Sequence, residues 1–317
     1  VEALLQQPAS SVQLIVASDA SDDATDDIVR EFASRGVELV RLRERGGKER
    51  AQREAVSHAR GELIVFTDAK ISLNAEALNF FAAYFTSPEV GAVSSIDRVE
   101  SAPGESSGEG FYVRYEMWLR SLESHFLSLV GLSGSCFGVR KSLCADLAVD
   151  VPSDFALLLR TRQAGLRGVH APQIAGSYRA VKTEKEEFTR KVRTVLRGIS
   201  TMFARREVLN PLRFGVFSWQ VWSHKPARWL VPWFFTGGCA GSFVLAAKCW
   251  WFLLISAGLV VFFALALLGS SSAGWRQKTI CKVPLFFFVS NSAVALAGIK
   301  FLLGQRTITW DPSAKGS

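Results

Sequence analysis

The chain has 317 residues, 49% of them hydrophobic with twenty-three Phe and nine Trp, and carries a formal net charge of +8. Apolar content of that order excludes a disordered polyelectrolyte, and the length allows roughly one large or two medium units. The five cysteines, at 136, 144, 239, 249 and 281, lack paired metal-ligand spacing and argue against a disulfide-stapled scaffold; no secretory signal opens the sequence.

Val1 to Gln7 reads as the end of a helix, and Val12 to Ala17 as a strand. The strand runs into an acidic segment with five Asp between positions 19 and 27, more than one helix cap needs. A helix follows with Ile28, Val29 and Phe32 on one face, its leading acids suiting the helix dipole. Val37 to Leu42 is a second strand, and Gly46-Gly47-Lys48 precedes a helix from about Glu49 to Arg60. Leu63 to Thr67 is an unbroken apolar run of the kind a strand covered on both faces requires. It ends on Asp68, which either caps the next helix or points into a site at the carboxyl end of the sheet.

A helix from about Asn74 to Phe85 and a strand at Val90 to Ser95 continue the alternation, which predicts an α/β fold with a mostly parallel sheet. Residues 101–110 read as a flexible loop. Phe111 to Val130 is a helix whose apolar stripe holds Tyr115, Trp118, Leu119, Leu122 and Phe126. Leu132 to Val139 is strand-like, and Gly134-Ser135-Cys136 can bring backbone close to a ligand. Val151 to about Ala164 is a helix closed by Gly165, and Gly168 to Pro172 a short strand. Asp154 stands at that helix's N-terminus, as cap or as functional acid.

The rest of the chain is membrane-directed. Trp229 to Ala247 and Cys249 to Gly269 are free of charge and, at ~1.5 Å per residue, long enough to cross a hydrocarbon core of ~30 Å. Val283 to Ile299, carrying Asn291, is a third span or a re-entrant helix. Arg190, Lys191, Arg193, Arg197, Arg205, Arg206, Arg213, Lys225 and Arg228 precede the first span, and Arg276, Lys278 and Lys282 follow the second. Both clusters fall on one side of the hairpin, which marks that side as cytoplasmic and makes membrane lipids, not nucleic acid, the partner of the positive charge. About Phe203 to Ser223 reads as a basic amphipathic helix on the membrane surface. Trp219, Trp222, Trp229 and Trp233 form an interfacial belt or receive sugar rings. The four His, at 58, 125, 170 and 224, are scattered and read as structural.

Asp19 through Thr25, Gly47-Lys48, Phe66-Thr67-Asp68-Ala69 and Ser153-Asp154 with Gly165 follow one another in an order that resembles membrane-bound family-2 glycosyltransferases with the GT-A fold, relatives of cellulose, chitin and hyaluronan synthases. Ser223-His224-Lys225 with Arg228-Trp229, and Thr309-Trp310-Asp311-Pro312, extend the resemblance. It implies residues 1–200 as a GT-A domain, 201–228 as an interfacial segment, 229–303 as two or three spans and 304–317 as a tail. It implies an inverting enzyme that moves a sugar from a UDP-sugar to a membrane-associated lipid or glycan acceptor, in a bacterial inner (plasma) membrane with the catalytic domain cytoplasmic. Asp154 would be the catalytic base; Asp19, Lys48, Asp68, Lys70 and Arg193 would bind the donor, Asp68 also through Mg²⁺ or Mn²⁺.

Three departures accompany the resemblance. The family's strand with a Pro-x-Tyr-Asn-Glu-like end does not precede Val1. The Asp-x-Asp motif reads Asp68-Ala69-Lys70, and a protonated lysine does not ligate metal; Lys70 then meets the diphosphate in place of the ion or alongside it. The Gln-x-x-Arg-Trp signature of processive synthases is replaced by Arg190-Lys191-Val192-Arg193-Thr194, which argues against processive polymerisation. A catalytically inactive nucleotide-sugar-binding relative is the alternative reading.

Overall fold

The computed structural model describes residues 1–7, 11–100, 108–145, 147–179 and 184–305. A short helix α1 (Glu2–Leu5) precedes β1 (Leu14–Ser18), α2 (Thr25–Glu31), β2 (Val37–Arg41) and α3 (Lys48–His58). The Asp23 carboxylate accepts from the Thr25 amide at 3.1 Å and so starts α2. Next come β3 (Leu63–Thr67), β4 (Ser72–Leu73), α4 (Ala77–Phe85), β5 (Val90–Glu100), α5 (Gly108–Phe126), β6 (Cys136–Arg140), α6 (Ser153–Gln163) and β7 (Arg167–Arg179). The two-residue β4 has no signal in the sequence, and β7 is longer than expected because its second half pairs with β5 and β4 beyond Pro172.

The sheet is mixed, which corrects the expectation of a mostly parallel one. β1–β2 and β5–β7 are parallel, whereas β3–β6, β5–β6 and β4–β7 are antiparallel, in the order β3-β6-β5-β7-β4. Alternation of strands and helices counts helices but not the return segment after one. Residues 127–135 bring the chain to the carboxyl end of β3, so Cys136 pairs with Thr67 and β6 runs backwards. The pair β1–β2 stands as a separate sheet, and the facing residues of β1 and β3 line a cleft between them.

The core lies on both faces of the larger sheet. Phe66 stacks on Phe137 with ring centroids 4.9 Å apart, beside fully buried Ala92, Val139, Leu157 and Leu158. Phe81, Val93, Cys136 and Ile174 fill the other face. The expected stripe on α5 points the other way: Tyr115, Trp118, Leu122 and Phe126 are exposed. The inward face of α5 instead carries Glu116 and Glu123, seven residues and two helical turns apart.

After β7 the chain is helical: α7 (Glu184–Ala204), α8 (Pro211–Phe214), α9 (Val216–His224), α10 (Pro226–Ala246), α11 (Trp250–Ser271), α12 (Ala273–Gln277) and α13 (Thr279–Leu302). The single surface helix expected over 203–223 is divided. Asn210 caps Pro211 at the start of α8 by accepting from the Leu212 amide, and Gly215, at φ 55°, separates α8 from α9. Phe217 and Val221 of α9 are buried, while Trp219 and Trp222 are exposed. Three helices, α10, α11 and α13, are long and apolar enough to cross a membrane. The third is a continuous 24-residue helix. Phe235, Phe262, Phe263, Phe287 and Phe288 interlock the three, Phe235 meeting Phe287 edge-on at 5.0 Å. The basic helix α7 packs along α13 through Val192, Leu196, Ala293 and Ala297. All five cysteines are unpaired. Residues 101–107 of the expected loop and the Thr309 to Pro312 motif lie outside the described residues.

Candidate active site

The acids at 19, 68 and 154 lie on three separate stretches of sequence and line one cleft of about 2510 Å³, together with Lys48, Lys70 and Arg193. Asp19 follows the last residue of β1. Its Oδ1 accepts from the Gly46 amide at 2.7 Å, and its Oδ2 from the Gly47 amide at 3.0 Å. Asp19 therefore holds the loop that starts α3. That loop turns through Gly47 at φ 88°, a conformation a side chain resists. Ala20, next to Asp19, is the sole non-glycine residue with positive φ among the described residues, which puts local backbone strain at the site.

Lys48 opens α3 and reaches across the cleft. Its ammonium donates to Asp68 Oδ1 at 2.5 Å and to the Gly134 carbonyl at 3.1 Å. Asp68 is fixed at the end of β3 because its amide donates to the Ser135 carbonyl at 2.9 Å. Gly134 is the point of closest approach: a Cβ there would lie 3.2 Å from Asp154 Oδ2. The Gly134-Ser135 segment thus brings Lys48, Asp68 and Asp154 to one place. Asp154 is half-buried at the second position of α6, where the Phe155 amide donates to its Oδ1 at 2.9 Å.

Lys70 lies in the cleft, exposed and without an ion-pair partner among the described residues. The residues at Asp68 are a poor match for a hard divalent ion, which takes several oxygen ligands. The Lys48 ammonium occupies Asp68 Oδ1 and Lys70 stands where a second acid is expected. Among the described residues no three His, Cys, Asp or Glu side chains converge as a metal site.

Helix α7 joins this polar centre to the membrane helices. Arg197 pairs with buried Glu49 in the first turn of α3. Lys191 donates to Ser290 Oγ of α13 at 3.3 Å and lies 4.4 Å from the centre of the Phe286 ring. Arg190, Lys191 and Arg193 line the cleft, which continues to Trp229 and Val231 of α10 and Phe286 and Phe287 of α13.

A second ionic group closes the membrane side. His224 Nδ1 pairs with Glu123, its Nε2 lies 3.6 Å from Glu116 Oε2, and Arg228 lies 2.6 Å from Glu116 Oε1. Burial alone would raise the Glu116 carboxyl, but His224, Arg228 and Lys225 hold it well below the usual carboxylate range. Burial pushes the Lys225 ammonium down, with Glu116 and Asp154 opposing the shift. The Lys225 amine sits 5.3 Å from the centre of the Phe155 ring, beside Asp154. His224 is therefore part of the cleft wall, where the sequence had suggested only a structural role. The readable signal was the spacing of Glu116 and Glu123 on one face of α5, about a quarter-turn round from its aromatic stripe. Asp97 is a further cleft acid that the sequence did not single out; its Oδ1 accepts from the hydroxyls of Ser133, at 2.6 Å, and Ser135.

Residues 1–147 match the model of glycosyl transferase family 2. Among solved structures, the chain is similar to the mannosyltransferase PcManGT from Pyrobaculum calidifontis, in complex with GDP-Man and Mn²⁺. The identity is 22% and the TM-score 0.70, over 96% of this chain and 82% of that one. It also matches TarS residues 1–349 of S. aureus in complex with UDP-GlcNAc, at 13% identity and TM-score 0.48 over 96% and 87% of the two chains. No curated protein sequence matches the chain.

Proposed function

We propose, from the premise that residues 1–147 form a family 2 glycosyltransferase domain on a GT-A fold, that this enzyme moves a sugar from a UDP-sugar to a lipid or glycan acceptor held at the membrane. The observation that carries the reading is the cleft itself, which is lined at one end by Asp19, Lys48 and Asp68 and at the other by residues of α10 and α13. A donor with a nucleoside and a diphosphate needs hydrogen-bonding groups and cations, and an acceptor tethered in the bilayer needs a route from the spans.

In this reading the Gly46-Gly47 loop, held by Asp19, receives the nucleoside end, and Lys48, Lys70 and Arg193 face the diphosphate. Asp154 Oδ2 takes the proton of the acceptor hydroxyl while that oxygen attacks the anomeric carbon. The bond to the diphosphate breaks on the opposite face, so the anomeric configuration inverts. Lysine ammonium groups then neutralise the charge that builds on the departing diphosphate. Mg²⁺ or Mn²⁺ is the ion the resemblance implies, and Asp68 is the carboxylate that would hold it; because Lys48 occupies Asp68, the charge compensation above is assigned to the chain's own cations. The cytoplasmic face carries the domain, since the basic clusters flank α10 and α11 on one side.

The exposed aromatic stripe of α5 and the Trp219 and Trp222 pair of α9 suit the headgroup level of the bilayer. The test is a donor screen with the full-length protein in proteoliposomes, reading nucleotide release and transfer of labelled sugar to lipid, with the product anomer determined by NMR. Transfer from a UDP-sugar with inversion supports the reading. Absence of turnover with every nucleotide sugar, alongside intact nucleotide binding, favours an inactive relative.

A further inference from the structure

Lysine offers three N–H donors and no acceptor. Two of those on Lys48 are already spent, on Asp68 Oδ1 and on the Gly134 carbonyl. These two anchors lie side by side, at the end of β3 and in the segment that leads into its partner strand β6, and together they fix the direction of the third N–H. Lys70, two residues beyond Asp68, adds a second ammonium that has no ion-pair partner among the described residues and lines the same cleft. The position that would complete an Asp-x-Asp pair is therefore positive, and the remaining acid is engaged by a cation of the chain itself.

We propose that Lys48 and Lys70 together take the charge-neutralising place at the diphosphate of the donor, so that nucleotide binds without a divalent cation. Asp68 is then a positioning residue: it holds the Lys48 ammonium in place and is not a metal ligand. Two ammonium groups match the two negative charges of a nucleotide-sugar diphosphate, and charge-assisted N–H to phosphate bonds are the strong class of hydrogen bond. In this arrangement position 70 needs no acid. The inference rests on the nucleotide-sugar reading of the cleft.

The test measures UDP binding to the full-length protein in detergent by calorimetry, in excess EDTA and again in millimolar Mn²⁺, for wild type, Lys48→Met and Lys70→Asp. The wild-type Kd is expected to agree within about twofold between the two conditions. Lys48→Met is expected to weaken binding about tenfold or more in both, in keeping with loss of one charge-assisted contact. Lys70→Asp rebuilds the two-acid motif and is expected to weaken binding in EDTA and recover it in Mn²⁺. Wild-type binding that vanishes in EDTA and returns with Mn²⁺ overturns the proposal. Binding of no nucleotide under either condition overturns the donor reading itself, and the proposal with it.

Discussion

The two ends of the cleft use the same kinds of charged side chain in different surroundings. At the donor end the Lys48–Asp68 pair is open, with side chains 34% and 44% exposed. At the membrane end the side chains of His224 and Glu123 are buried, at 7% and 8% exposure, and that of Glu116 is 14% exposed. An open pair is exchangeable, because water or a ligand can replace either partner at small cost. A buried group is structural, because removing one partner strands a charge in a medium that solvates it poorly. In the proposed function the open end is the one where Lys48 meets the ligand while Asp68 steadies it, and the membrane end holds α5, α9 and α10 together beside Asp154.

That contrast can be broken most forcefully at Glu116. Glu116→Ala takes the carboxylate from Arg228, leaves His224 with Glu123 alone, and is expected to cost about 3–5 kcal/mol of stability. Thermal unfolding in detergent checks this, and a shift no larger than that of a surface substitution would erase the distinction between the ends.

His170 on β7 gives a smaller effect, through pH. Burial pushes its imidazole down from 6.5 to about 4. The fold therefore favours the neutral ring, and its contribution is complete above pH 6.5 and lost as the pH falls from 6.5 to about 4. The expected loss is about 2 kcal/mol, since the ring retains some solvent contact. It is read as the difference between wild type and His170→Gln in denaturant melts across that window; equal pH profiles would contradict it.

At the donor end, Lys48→Met is expected to change stability by less than about 1 kcal/mol, because the pair it breaks is half-open. The same substitution is expected to weaken nucleotide binding. Large destabilisation without a binding defect would make Lys48 structural and sink the contrast from the other side.

Much of this was legible in the residues and some was not. The apolar run ending on Asp68 and the charge-free lengths of the spans are local patterns, and the structure places the strand at Leu63–Thr67 and the helices at Pro226–Ala246 and Trp250–Ser271. The direction of β6 was hidden because it depends on residues 127–135, which have no period of their own. The outward turn of the α5 stripe was hidden for another reason. An apolar helical face ordinarily goes to the core, but here two glutamates on the neighbouring face find His224 and Arg228, more than 90 residues away. Asp19 was expected to bind the donor and lines the cleft, yet its two backbone partners at Gly46 and Gly47 could be seen only once β1 and α3 were side by side.

The central claim is that Asp154 performs chemistry at a donor site it does not itself build. Nucleotide affinity and sugar-transfer rate measured on the same preparation of Asp154→Asn test it directly. The account predicts a UDP Kd within about twofold of wild type and a turnover lower by about 10²–10⁴, the range for loss of a general base. Unchanged turnover, or loss of nucleotide binding in step with activity, would contradict it.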